Sequence, residues 1–167
     1  MARPDSLRIL RPSIIDRLVT RPGERAESSY FDGVTARELK ASVARDLAWL
    51  LNTRVWMPSD RSGFAGLEES QQSILGYGIP DLSSFSWVNP QDCREIAGLV
   101  EKAIRTFEPR LLPRSVRVEI LPSEDISDFS VKLRIEAILH VDPINEHVAF
   151  DSTADFDGGG IRIESFE

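Results

Sequence analysis

The sequence has a single cysteine, Cys93, in 167 residues, so no internal disulfide framework can form and a reducing compartment fits. No apolar run approaches the roughly 18 residues that would span a bilayer, so membrane insertion is not expected. The opening Met1-Ala2-Arg3-Pro4-Asp5 leads into no apolar stretch of the secretory kind, and the expected location is cytoplasmic. Basic residues are in deficit: 20 Lys and Arg against 27 Asp and Glu give a formal net charge of -7. That balance argues against general nucleic-acid binding, which needs a basic surface to neutralise phosphates, although it permits basic protein partners. There are only two histidines. His140 and His147, with Asp142 and Asp151, flank one turn, but nothing fixes their register, and the expectation is no metal and no cofactor. Cys93 falls in the first turn of a helix without a His or Asn partner constellation, so no catalytic thiol is expected.

What remains is an ordinary globular composition, 41% hydrophobic and 28% charged, in a chain long enough to bury a core without staples. Up to about Phe31 the chain is rich in Arg and Pro, with an apolar cluster at Ile14, Ile15, Leu18 and Val19 behind a potential cap at Ser13. This arm, residues 1–32, reads either as a short helix tucked onto the domain or as a peptide that docks on a partner. Thr35-Ala36-Arg37-Glu38 has the pattern of a capping box, with Val34 and Leu39 placed for a hydrophobic staple. Leu39, Val43, Leu47 and Leu50 are spaced for one buried helical face ending near Leu51. Prolines and glycines break up residues 52–90, with a short helix expected over Leu67–Leu75. Asn89-Pro90-Gln91-Asp92 starts a second helix, whose stripe is Ile96, Leu99, Val100, Ala103, Ile104 and Phe107. Pro109 ends it.

After Pro113 the period of the apolar residues changes to two. Val116, Val118 and Ile120, then Val131, Leu133, Ile135 and Leu139, then Val148, Phe150 and Phe156 alternate with polar residues. Helices first and strands afterwards predict an α+β domain over residues 33–157, a small antiparallel sheet with helices packed on one face. Gly158-Gly159-Gly160 then marks a flexible tail, residues 158–167. Its Ile161-Arg162-Ile163 piece is a possible last strand, on its own sheet or on a neighbour's.

Glu108-Pro109-Arg110 is the leading local candidate for a partner contact. Proline fixes the chain at the helix end, and Arg110 offers a planar fork for a carboxylate or for carbonyls. The alternative is an internal clasp, with Arg110 holding an acid or a carbonyl of its own domain. In Leu50-Leu51-Asn52-Thr53-Arg54, Asn52 suits a left-handed helix end and Arg54 the negative end of the helix dipole, a structural explanation in itself. Tyr77-Gly78-Ile79-Pro80-Asp81 reads as a shaped turn that presents Tyr77 and Asp81. Among the large aromatics, Trp49, Trp56, Phe85 and Trp87, core packing is favoured over contact, although Trp49 lies off the stripe of its helix.

Taken in order, several segments resemble the TssE family of type VI secretion baseplate subunits. They are Ser13-Ile14-Ile15-Asp16-Arg17-Leu18, Leu50 to Arg54, Tyr77 to Leu82, Phe107-Glu108-Pro109-Arg110-Leu111, Leu133 to Ala137, Asp142-Pro143 and Val148 to Asp151. That family is similar to a tailed-phage baseplate wedge protein whose domain is often labelled lysozyme-like. The resemblance implies a baseplate role beside TssF, TssG and TssK, and a template on which the sheath proteins TssB and TssC begin to polymerise by strand addition. It implies partner-binding roles for Glu108, Pro109, Arg110, Arg54, Tyr77 and Asp81, and no enzyme activity. The alternatives are a regulatory binding protein of the same fold or a peptidoglycan hydrolase. A hydrolase needs one protonated and one ionised carboxylate across a cleft. Arg110 beside Glu108 favours the ionised form, the wrong one for an acid.

Overall fold

A computed structural model describes residues 35–55, 69, 72–86, 89–121, 130–140, 145–155 and 160–166. Helix α1 spans Ala36–Asn52 and begins with the anticipated capping box. The Thr35 hydroxyl accepts from the Glu38 N–H at 3.2 Å, and the Glu38 carboxylate accepts from the Thr35 N–H at 2.9 Å. Its apolar stripe is buried as spaced, and Ser42, Ala44 and Leu51 are buried with it. Helix α2 spans Pro90–Phe107, with the Asn89 side chain accepting from the Gln91 N–H at 2.9 Å and Pro90 where no amide partner is needed. Asp92 secures this start by accepting from the Ser86 N–H and the Asn89 side chain, at 2.8 and 3.0 Å.

Strands β1 (Arg117–Leu121), β2 (Ser130–Leu139), β3 (Glu146–Asp155) and β4 (Gly160–Phe166) form one antiparallel meander in the order β1-β2-β3-β4. The α+β expectation holds: the described residues form two α-helices and a four-stranded sheet. Cross-strand neighbours Val118, Ile135 and Phe150 lie on the inner face and are buried, as are Leu133, Ala137, Leu139 and Val148. Arg117, Glu119, Lys132 and Glu136 are exposed on the other face. Helix α1 packs against β4 and α2 against β1, so the core sits between the helices and one face of the sheet.

Two sequence expectations are corrected here. Residues 160–166, assigned to a flexible tail with Ile161-Arg162-Ile163 as a possible last strand, form that strand on the protein's own sheet, paired with β3 from Asp155↔Gly160 to Phe150↔Phe166. The apolar residues explain it: Ile161 is buried, and the Phe166 ring lies 6.5 Å from that of Phe150. Asn52 does not take a left-handed conformation, since no described residue other than glycine has positive φ. It closes α1 as a helical residue, and its side chain has another use, described below. The arm at 1–32, the loop residues Trp56 and Trp87, residues 67, 68, 70 and 71 of the short helix expected over 67–75, Asp142 and Phe156 lie outside the described residues.

Candidate functional site

Glu108-Pro109-Arg110 stands where α2 gives way to the sheet. The Glu108 N–H still donates to the Ile104 carbonyl at 2.9 Å, and Pro109 then turns the chain. Arg110 is pinned on its backbone: its carbonyl accepts from the His140 N–H at 2.8 Å, while the Leu112 N–H donates to the Ile138 carbonyl at 2.8 Å. Its guanidinium points back to the helices. Nε and Nη2 donate to the two Glu108 carboxylate oxygens at 2.7 and 2.5 Å, Nη2 also to Asp46 Oδ2 at 2.6 Å, and Nη1 to the Ser42 hydroxyl at 3.0 Å. Arg45 in turn donates to Asp46 Oδ1 at 2.9 and 3.1 Å. Four alternating charges thereby join α1, the end of α2 and the sheet.

Glu108 is only 4% exposed. A carboxylate so placed is tolerated because the paired guanidinium and the Arg110 N–H, at 3.1 Å, replace its lost hydration. Burial by itself lowers the Arg110 pKa, but Glu108 and then Asp46 outweigh it and hold the guanidinium above its ordinary value. The internal clasp, one of the two sequence readings of this motif, is therefore present.

Beside the clasp lies an open groove of about 360 Å3, lined by Asp46, Trp49, Leu50, Tyr77, Phe107, Glu108, Pro109 and Arg110. Tyr77 meets Phe107 edge to face with ring centroids 5.4 Å apart. Trp49, expected in the core, is 47% exposed, and the Arg45 guanidinium sits 5.0 Å from its ring centroid. Burial first, then the charges of Asp46 and Glu108, raise the Tyr77 pKa above the usual phenol value. Just before Tyr77, in the 3-10 turn Ile74–Gly76, Ile74 and Leu75 are 87% and 72% exposed. The Tyr77 N–H bonds the Ile74 carbonyl at 3.2 Å, so this apolar lip is held to the groove's aromatic wall.

Arg54 and Asp81 belong to a neighbouring turn. Arg54 is bridged to Ile79, whose N–H and carbonyl bond Thr53 and Val55 at 2.9 and 3.0 Å. Gly78 makes this approach possible: its φ is +119°, and a Cβ there would lie 2.3 Å from the Thr53 carbonyl oxygen. The exposed Asp81 accepts from the Ser83 N–H and hydroxyl at 3.0 and 2.9 Å, and these bonds, helped by Arg54, lower its pKa. Of the six residues predicted to bind partners, Tyr77, Glu108, Pro109 and Arg110 share the groove, while Arg54 and Asp81 share the turn.

Sequence reasoning did not nominate Asp46 or Ser42. They lie with Trp49 at i, i+4 and i+7 on α1, a polar and aromatic stripe flanking the apolar one, and that spacing was the available signal. Asn52 was given a local role only. Its amide nitrogen donates to the Ile161 carbonyl at 2.7 Å and its amide oxygen accepts from the Ile161 N–H at 2.8 Å, as a paired strand residue would. Gly160, at φ +71°, leaves room for it, since a Cβ there would be 2.2 Å from the Asn52 oxygen. At the other edge of the sheet, Glu101 accepts from the Val118 N–H at 3.1 Å and Arg105 donates to the Val116 carbonyl at 2.9 Å.

Among the described residues no group of His, Cys, Asp or Glu is placed to hold a metal ion, and no helix is long and apolar enough to cross a membrane. The sequence model of the baseplate wedge protein gp25 family matches residues 37–144, a span that holds both helices, the clasp, the groove and the first two strands. No curated protein matches the chain.

Proposed function

Since the chain belongs to the baseplate wedge protein gp25 family, which is the TssE family, we propose that it is a structural baseplate subunit of a type VI secretion system. In this reading it works in the cytoplasm, binds the wedge proteins TssF, TssG and TssK, and nucleates the TssB and TssC sheath. The observation that carries it is the family match across the clasp and groove. The groove supplies aromatic anchors of the kind that dominate protein interfaces. β1 and β4 are the sheet's outer strands, and strand addition by a sheath arm would first pair with the edge groups other than those at Val116, Val118 and Ile161, which Arg105, Glu101 and Asn52 already occupy.

The same reading takes the protein to be no enzyme. In support, Glu108, the acid that the hydrolase alternative would nominate, is buried with both its oxygens accepting from Arg110. Deleting the gene is expected to abolish sheath assembly, seen by imaging a fluorescent sheath subunit, while other wedge proteins remain present. Normal sheaths in the deletion strain would refute the role. A peptidoglycan zymogram that clears, and no longer clears with Glu108→Gln, would establish the hydrolase alternative.

A further inference from the structure

The two outer strands of the sheet are closed in different ways. Along β4, Ile161 turns its N–H and carbonyl away from β3, and the Asn52 amide takes them at 2.8 and 2.7 Å. The same amide nitrogen donates to the Ala48 carbonyl of its own helix at 2.7 Å. A side chain this short brings the end of α1 itself to the edge, and Gly160 makes room for it. Beyond Ile163 the register shifts and Glu164 has no opposite residue, an irregularity of the kind that terminates pairing. Edge β4 is sealed.

Along β1 the plug is of another kind. Glu101 accepts from the Val118 N–H and Arg105 donates to the Val116 carbonyl, one bond from each of two long side chains. The two are also paired with each other along α2. Swung toward solvent they keep that pair, and the strand groups they release are those a partner backbone would bond. By alternation the Val118 carbonyl and the Ile120 N–H and carbonyl face the same way, and among the described residues nothing bonds them. Four helix residues and two strand residues each advance about 6 Å, so the turn of α2 before Glu101 comes level with Ile120. That turn carries Ala97 and Gly98, neither of which can plug the edge. A Cβ at Gly98 would meet no described atom within 4 Å, so packing within the described fold does not call for this poor helix former.

We propose that β1 is the sheet edge that accepts an extended segment of a partner protein, and that Glu101 and Arg105 form a latch over it. Pairing starts on the open groups of Val118 and Ile120, with the space at Gly98 beside it. It extends to the Val116 carbonyl and the Val118 N–H as the latch swings out. With the latch closed, the edge offers less to a second copy of the chain. The inference rests on the strand-addition reading above and adds which edge is used and what guards it.

The test follows amide hydrogen exchange in the full-length protein, alone and bound to the TssB and TssC sheath proteins. Binding is expected to slow the Ile120 amide at least about tenfold and to leave the Ile163 amide unchanged. Slowing at Ile163 with none at Ile120 would overturn the choice of edge while strand addition stands. Binding that slows neither amide would remove strand addition itself, and the proposal with it. Gly98→Leu is expected to keep or raise the denaturation midpoint, because leucine favours helix, and to weaken sheath capture about tenfold. Undiminished capture by that variant would show that no segment passes beside α2. Glu101→Ala is expected to speed exchange at the Val118 amide in the free protein and to strengthen capture about two- to fivefold. Weaker capture by Glu101→Ala, with the fold intact, would show Glu101 to be a contact for the partner and not a latch.

Discussion

The middle and the end of helix α1 use polar side chains in contrasting ways. Near its middle, Ser42, Arg45 and Asp46 join a chain of charges that fixes Arg110 and the buried Glu108. At its end, Asn52 uses a neutral amide to close the backbone of β4. The charged clasp ties three elements together and leaves an aromatic groove beside it. The amide clasp ties one strand down and leaves nothing chemically distinctive at the surface. The contrast shows why a charged motif in a sequence is a poor guide to which atoms meet a partner: Arg110 is the conspicuous residue, yet its donors serve the fold. The groove beside it is walled by the rings of Trp49, Tyr77 and Phe107.

The contrast can be broken most severely at Arg110. Arg110→Ala strands a carboxylate that is 4% exposed and is expected to cost about 3–5 kcal/mol in chemical denaturation. Arg110→Lys keeps the charge but not the fork, so a smaller loss is expected. A loss below 1 kcal/mol for Arg110→Ala would show the clasp to be decorative. Next comes Asn52→Ala, expected to cost about 1–2 kcal/mol, with faster hydrogen exchange at the Ile161 amide and little change at Phe150. Trp49→Ala should change stability by less than about 0.5 kcal/mol, because the ring is 47% exposed.

The smallest effect is a titration. With Tyr30→Phe leaving Tyr77 as the one tyrosine of two, ultraviolet absorbance should show ionisation above the ordinary phenol range. The sign follows from linkage. A raised pKa in the folded state means that the neutral phenol stabilises the fold below the unfolded pKa, and that this contribution fades as pH rises through the folded value. Asp46→Asn should bring the midpoint down, since Asp46 is the larger of the two charges that raise it.

Which parts were legible in sequence follows from the distance between interacting residues. The Thr35–Glu38 box and the Asn89–Pro90 start are written within four residues, and both form as read. Alternation gave the faces of β1, β2 and the first half of β3 because each strand has one buried side. The tail was half legible: Ile161-Arg162-Ile163 read as a possible strand, but three glycines outweighed an apolar signal only two isoleucines and one phenylalanine long. The groove was half legible. Tyr77 and Arg110 stood out, but the Arg110–Asp46 bond joins positions 64 apart and the Asn52–Ile161 pair positions 109 apart. Such pairings have no local periodicity to announce them. Trp49 was read toward the core because bulk usually buries; here it lies off the buried stripe of its helix, and the Arg45 guanidinium packs on its ring at the surface.

The most direct test of the groove as the working surface is quantitative co-purification of TssF and TssG with the full-length protein, wild type against Trp49→Ala. A fall of about tenfold in captured partner, with the denaturation midpoint unchanged, is the expected result. Wild-type capture by the variant would contradict it.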